Sequence, residues 1–263
     1  EIKKVEICAL ASGSSGNCFY LGNKKDKKAI IIDAGISAKQ IVERLEIIGK
    51  NPESIKAIFI THEHSDHIRG ADVLARQFNI PIFATKKTIQ NSCLCSDKSL
   101  INSIKNNETT KIVGLNVEAF SKSHRVADPV SYNIVGKRSQ NVAVITDLGF
   151  CCKNTIEKVS EANALFIESN HDVAMLENGP YPYFLKKWIR SDTGHLSNMQ
   201  ASLCILEYGN KKLKNVILSH ISKMNNTPEL ALHTMRSLLK ERKDLLPLVS
   251  LSSREMPSEL VKL

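Results

Sequence analysis

The sequence predicts an α/β protein in which packed sheets carry helices on their outer faces. Three observations lead to this class. Ten short β-rich runs are distributed along the chain, five amphipathic helical periods alternate with them, and no internal repeat, low-complexity tract or long linker interrupts the alternation. With 263 residues the chain is long enough for one large α/β domain or two small ones, and a single domain spanning 1–263 is expected.

The first three runs, KVEICAL, NCFYLG and KAIIIDAG, follow one another across short turns, as antiparallel strands do. A helical period over 37–49 then leads to AIFIT, a second over 68–78 to IPIFAT. Residues 92–110, SCLCSDKSLINSIKNNETT, are the least regular and are expected to form surface structure. NVEAFSK, SYNIVG and NVAVITD again lie close enough for a meander around 117–147. ALFIES and NVILSH complete the strands, among helical periods at 153–160, 197–208 and 228–241.

Composition narrows the class. Hydrophobic residues make up 42% and charged residues 24%, ordinary for a globular protein with a substantial core. No apolar stretch approaches the roughly 18 residues that span a bilayer. EIKKVEICAL enters a strand-like alternation without the apolar core or cleavage site of a signal peptide, so no membrane partner is expected. The seven cysteines are odd in number, form no Cys-x-x-Cys and mostly sit in apolar runs, which fits reduced thiols in the cytoplasm. Cys93-Leu-Cys95 has no second pair nearby to complete a metal site. A net charge of +9 suits a polyanionic partner, although a Lys-rich soluble surface has the same composition.

The chemistry concentrates in AIFITHEHSDHIRGADVL. An apolar strand ends at Thr61, and His62, His64, Asp66 and His67 occupy the turn at its C-terminal end, a frequent place for active-site groups in α/β folds. His62 and His64, at i and i+2 in an extended turn, point to the same side. Imidazole and carboxylate together suit zinc or a similar divalent ion. Further candidates sit at other strand ends: His124 in FSKSHRVADPV, Asp147 in VAVITDLGF and His220 in NVILSHIS. Each alone could be a strand-end polar residue satisfied by backbone. Their repetition favours ligands, because a buried carboxylate without a partner is costly and the strand ends of packed sheets converge on one edge.

THEHSDH resembles the His-x-His-x-Asp-His signature of the metallo-β-lactamase superfamily, and His124, Asp147 and His220 follow in the order of its later ligands. The resemblance implies a four-layer αββα sandwich with a dinuclear metal site at one edge of the two sheets. In that scheme His62, His64 and His124 hold one ion, Asp66, His67 and His220 the other, and Asp147 bridges them; Glu63 and Ser65 are spacers. An Asp rather than a Cys at the bridging position is similar to the hydrolase and nuclease branches. LASGSSGNCFYL, IIDAGIS, THEHSDH, ESNHD, GHLSNMQAS and LSHISKMNN together look like the YycJ/WalJ-type hydrolases over about residues 7–230, a family regarded as nuclease-like.

GHLS followed by LSHIS is also similar to paired motifs of the superfamily's tRNA 3′-processing enzymes, and that likeness makes His195 the candidate general acid. An imidazolium can protonate the poor alkoxide leaving group of a phosphodiester; the competing reading is a His beside a helix start. The long arm with which those enzymes hold tRNA has no evident counterpart. His171 in ESNHD is either a substrate contact or a helix N-terminal residue, and Glu168 is a candidate for orienting a histidine. In SGSSGN, Ser12, Ser14, Ser15 and Asn17 offer donors around Gly13 and Gly16 that could cradle a phosphate, or the loop is a simple hairpin turn. It lacks the following Lys-Ser/Thr of a P-loop. About 70 residues separate Asp147 from His220, too few for an inserted domain of the β-CASP type. Basic runs at 24–28, 185–190 and 211–214 are solvated faces or a groove lining, and LKKWIR alone interleaves an aromatic, Trp188.

The expected function is a dinuclear-metal-dependent hydrolase: a phosphodiesterase or nuclease acting on DNA, exonuclease-like, through a metal-activated water. Zinc is the default from ligand type and manganese is also accommodated. Asp66 would accept the water's proton or orient it. Two other classes compete. One is hydrolysis of a small thioester, ester or lactone by the same site; the other is a non-catalytic nucleic-acid-binding or regulatory protein with structural metals. A ligand set larger than the four of a closed structural zinc argues against the last.

Overall fold

Strands buried on both faces read as unbroken apolar runs, and the strongest of the expected strands are of this kind. The computed structural model describes residues 5–23, 27–136 and 139–263. Lys24, Lys25 and Asp26 of the first basic run therefore lie outside the described residues. The strands belong to two sheets, and the chain divides into two compact units: Glu1–Ser121 with Val126–Gln140 and Ser253–Leu263, and Lys122–Arg125 with Asn141–Ser252.

In the first unit β1 (Val5–Ala11), β2 (Cys18–Asn23) and β3 (Lys28–Ile32) pair antiparallel, with Ile7 opposite Leu21 and Leu21 opposite Ile30. After helix α1 (Ala38–Ile47), β4 (Ile55–Phe59) joins β3 in parallel. Helices α2 (Ser65–Ile68) and α3 (Ala71–Phe78) precede β5 (Ile82–Thr85); α4 (Lys86–Gln90) precedes β6 (Ile101–Ile104), and both strands continue the parallel run. Strands β7 (Thr109–Ile112), β8 (Leu115–Ser121) and β9 (Val130–Val135) pair antiparallel. α1 starts where expected because Ser37 and Gln40 form a capping box. Its Ile41 and Leu45 join Leu74 and Ala75 of α3 in the core formed with Ile31 and Ile58.

In the second unit β10 (Asn141–Ile145), β11 (Ala164–Glu168), β12 (Asn215–Ser219) and β13 (Val249–Leu251) are all parallel. Between them run α5 (Lys153–Glu161), α6 (Val173–Asn178), α7 (Tyr183–Ile189), α8 (Asn198–Tyr208) and α9 (Pro228–Leu238). Val142–Ile145 and Ala164–Ile167 are at most 1% exposed. Each large apolar side chain buried there contributes about 1.5–3 kcal/mol, enough together to hold strained polar residues at the strand ends. A last strand, β14 (Val261–Lys262), pairs antiparallel with β1 in the first unit, giving the order β14-β1-β2-β3-β4-β5-β6.

Two expectations are corrected. Residues 92–110 are not merely irregular, since they contain β6 and the start of β7, which end their sheets. Edge strands tolerate polar side chains such as Asn102 and Lys111, which erased the apolar signal. The helical period 68–78 is broken at Gly70, where a Cβ would lie 2.2 Å from the Ile36 carbonyl oxygen. Of the runs expected to form one meander, β8 and β9 pair antiparallel as expected, and β10 pairs in parallel with β11. Among the described residues no helix is long and apolar enough to cross a membrane, and all seven cysteines are free.

The loops of the first unit are knitted by backbone bonds. Asn17 N–H donates to Asp66 O, Gly35 N–H to Asn17 O and Ala34 N–H to His67 O, each at 2.8 Å. A Cβ on Gly35 would lie 1.7 Å from Asp66 O. Gly35→Ala is expected to displace the 61–67 turn and cost about 2 kcal/mol, a fall in Tm of roughly 4–8 °C by thermal unfolding. An unchanged Tm would show that the turn is not held this way.

Candidate metal centre

The turn after β4 is organised by a residue that sequence reasoning left without a role. Asp33, fully buried at the end of β3, accepts Thr61 N–H (2.8 Å), Thr61 Oγ1–H (2.9 Å) and His67 Nδ1–H (2.7 Å). The signal was available: KAIIIDAG is an apolar strand ending in a carboxylate, the pattern that singled out Asp147. Because Thr61 gives its proton to Asp33, its oxygen can accept from His62 Nδ1 at 2.9 Å. His62 Nε2 then faces His64 Nδ1 at 3.1 Å, and His67 Nε2 lies 3.5 Å from Asp66 Oδ2. The four THEHSDH candidates are thus brought together. Glu63 is more than a spacer, since its Oε1 accepts Ala127 N–H at 2.9 Å.

In the second unit the organiser is Glu168 at the end of β11. Fully buried, it accepts Asp147 N–H (3.1 Å), Leu148 N–H (3.0 Å), Leu196 N–H (2.8 Å), His195 Nδ1–H (3.0 Å) and His220 Nδ1–H (2.7 Å). Burial pushes its carboxyl up, but the His195 and His220 imidazoles outweigh this and hold it below the usual carboxylate range. His220 Nε2 and His124 Nε2 approach Asp147 Oδ1 at 3.6 and 3.9 Å. His124 donates its Nδ1 proton to the Gly194 carbonyl at 3.1 Å. The His195 ring stacks obliquely 5.3 Å from that of His220 and 5.1 Å from that of His124. His124, Asp147, His195 and His220 are therefore also brought together.

This donor set fits divalent metal. His67, His124 and His220 each use Nδ1 on a carboxylate or carbonyl, which fixes the tautomer with an unprotonated Nε2, the form a metal ligand needs; at His67 that nitrogen accepts from Asn17 Nδ2 at 3.2 Å. Asp147, Glu168, His195 and His220 each place one ligand-type atom within 4.8 Å of the others. In that group Glu168 is already surrounded by five donors and acts as the support, while Asp147 and His220 keep ligand atoms directed elsewhere. Burial pushes His124 down to about 3, partly offset by Asp147, so its ring is neutral, the ligating form.

Asp33, Asp147 and His220 all take the left-handed backbone conformation, with φ of 59°, 54° and 53°. Such a conformation costs about 1 kcal/mol or more at a non-glycine position and persists only where the surroundings dictate it. At His220 the surroundings are the motif asparagines. Asn170 Nδ2 donates to His220 O (3.0 Å), Asn226 Nδ2 to Ser169 O and Asn170 O (both 3.0 Å), and Ser169 Oγ to Asn198 Oδ1 (2.6 Å). Ser197 of GHLS forms a capping box with Gln200 that starts α8.

The substrate-binding candidates divide. Ser14 and Ser15 are exposed; Ser12 and Asn17 are buried, Ser12 Oγ donating to Asn17 Oδ1 at 3.1 Å and Asn17 Nδ2 reaching Gly13 O and His67 Nε2 at 3.2 Å. Those two residues shape the loop and buttress His67. His171 is 1% exposed and bridges to Ser197, and burial pushes its ring down to about 4.

The fold and these clusters define a class, and sequence comparison agrees: residues 11–100 match the family described as the metallo-β-lactamase superfamily. The chain is 38% identical over 237 residues to exodeoxyribonuclease WalJ of Streptococcus pneumoniae, covering 88% of this chain and 87% of that protein. It is 37% identical over 245 residues to exodeoxyribonuclease YycJ of Bacillus anthracis, covering 90% of each. Among solved structures, Zn(2+)-bound PqqB from Methylobacterium extorquens superposes with a TM-score of 0.72 at 14% identity, over 97% of this chain and all of that one. The metallo-β-lactamase fold protein YhfI from Bacillus subtilis gives 0.68 at 14%, over 97% and 99%. The chain belongs to the WalJ/YycJ family of the metallo-β-lactamase superfamily, and its α/β fold is the one that membership implies. Divalent metal ions are part of that fold's chemistry.

Two outcomes test the site. Glu168→Gln is expected to lower metal affinity by about 10–100-fold, read by competition with a chromophoric chelator while circular dichroism stays native. Unaltered affinity would remove Glu168 from the support of the centre. Second, the fold holds His124 and His171 neutral, so below pH 6.5 the unfolded chain binds more protons than the folded one. Metal-free protein is expected to lose urea stability progressively between about pH 6.5 and 4; a flat profile there would contradict the buried neutral rings.

Proposed function

We propose that the protein is a metal-dependent exodeoxyribonuclease, and that its site is the one the family resemblance implies. His62, His64, Asp66, His67, His124, Asp147 and His220 act as ligands of two divalent ions, zinc by ligand type with manganese also served. The observation that carries the reading is Glu168, which ties His195 and His220 to one carboxylate and so sets a proton donor beside a ligand histidine. The names of the two full-length relatives point to DNA as the substrate. The full 1–263 chain works as one catalytic domain without a β-CASP-type insertion, in a cytoplasm that keeps its cysteines reduced.

Divalent ions held there would supply Lewis-acid polarisation of the scissile phosphate and a bound water with a pKa near 7. The chain's own residues do the rest. Asp66, carried on α2, accepts or orients the water's proton. His195 directs its Nδ1 proton to Glu168 and is 11% exposed; a second proton, taken up from solvent on Nε2, would pass to the departing oxygen and leave the ring neutral. Ser14 and Ser15 in the exposed part of the SGSSGN loop would contact neighbouring phosphates, while His171, 1% exposed, would act through its bridge to Ser197 at the start of α8.

Purified protein with zinc or manganese is offered single- and double-stranded DNA, RNA and a small thioester. DNA is expected to be degraded from an end. His64→Ala should lose both metal and activity. His195→Ala should keep its metal and lose about 10²–10⁴-fold in kcat. Cleavage of the thioester but no nucleic acid would overturn the nuclease reading. Full activity in His195→Ala would overturn only the proton-donor assignment.

A further inference from the structure

The arm between β11 and α8 carries a surface the core does not require. Tyr183 and Phe184, consecutive at the start of α7, are each 74% exposed. Single exposed apolar residues are ordinary, but two adjacent aromatic rings left in water are a recognition feature. Lys187, one turn on, is also exposed. Trp188 follows, its ring edge-on to His195 at 5.5 Å and tilted to His124 at 6.2 Å.

Helix geometry places Phe184 and Trp188 on one face, about 6 Å apart along the axis, with Tyr183 and Lys187 paired beside them. The position of this face relative to His195 is fixed. His195 N–H donates to Ile189 O at 2.9 Å, and a Cβ on Gly194 would lie 2.2 Å from both the Trp188 and Ile189 carbonyl oxygens. Lys186 Nζ donates to Glu177 O at 2.7 Å, and Arg190 pairs with the Glu177 carboxylate at 2.5 Å. α7 itself contains no acidic residue, so Lys187 meets an approaching polyanion beside a Glu177 already matched to Arg190.

Resting on the nuclease reading above, we propose that Tyr183, Phe184 and Trp188 form a base-stacking platform for the single-stranded end of a DNA substrate, with Lys187 on an adjoining phosphate. Every base has a π face, so aromatic stacking grips a strand without reading its sequence, as degradation of DNA of any sequence requires. Bases inside a duplex are already stacked on one another, so the platform favours frayed or single-stranded ends. One or two nucleotides seated on it would lead past Trp188 to the proton donor.

Trp188 is the chain's sole tryptophan, so its fluorescence reports on the platform. Metal-loaded protein is titrated with a short phosphorothioate oligonucleotide that resists cleavage, with a blunt duplex, and with an oligonucleotide abasic at its terminal nucleotides. The single strand is expected to quench Trp188 and bind best. A Tyr183→Leu/Phe184→Leu variant should bind it about tenfold more weakly or worse, with Phe184→Tyr near wild type. The abasic strand should bind weakly to wild type and lose little more in the Leu variant. Hydrolysis of bis-p-nitrophenyl phosphate should be equal in all of them. Unchanged binding by the Leu variant, or equal binding of abasic and normal strands, overturns the platform even if DNA is cleaved normally. So does a change of oligomeric state in sedimentation, which would make the aromatic pair a contact between copies. Binding that follows this pattern without any DNA cleavage would instead overturn the nuclease reading and leave the platform standing.

Discussion

A single buried anion organises the second unit. Glu168 sits at the end of a wholly apolar strand with no exposure to water, a position ruinous for a carboxylate without partners. Five donors converge on it, two from imidazoles and three from backbone N–H groups. The exchange works in both directions. The donors keep the carboxylate ionised, and the carboxylate fixes the rotation and tautomer of His195 and His220 and the backbone entering Asp147. Asp33 does the same in the first unit for Thr61 and His67. The atoms proposed to bind metal are therefore aimed by two buried carboxylates whose own oxygens are taken up by hydrogen bonds.

The two organisers differ in one respect that bears on chemistry. Asp33 serves His67 and the threonine that in turn orients His62, both of them proposed ligands. Glu168 serves one proposed ligand, His220, and one residue that is proposed to move a proton, His195. Coupling both through one carboxylate means that proton transfer at His195 and ligand strength at His220 are felt by the same oxygen, Oε1. Of the two carboxylates, Glu168 is thus the one that would link metal loading to acid catalysis under the proposed roles.

Much of this was legible in the sequence. The strands ending in THEHSDH, VAVITD and NVILSH were visible because burial on both faces demands uninterrupted apolar residues, and a polar group closing such a run needs a reason. Glu168 was visible only as a faint candidate, because ALFIES shows a carboxylate but not the five donors that reach it from 20 to 52 positions away. Asp33 was missed for want of applying the same strand-end rule. The buried Asn network joining ESNHD, GHLSNM and LSHISKMNN was hidden for a different reason: those motifs read as chemistry, while much of their content is structural. Ser12 and Asn17 likewise offered themselves as phosphate donors when their hydrogen bonds close their own loop.

The left-handed backbone shared by Asp33, Asp147 and His220 constrains descent as well as geometry. Only glycine, asparagine, aspartate and, less readily, histidine visit that conformation at modest cost. At Asp147 glycine and asparagine would keep the chain path but surrender the anion, and glutamate would keep the anion but strain the path. The neutral neighbourhood around each of these codons is therefore almost empty. A lineage released from selection would lose its site through such positions long before its apolar strands ceased to fold, leaving an intact but inert scaffold.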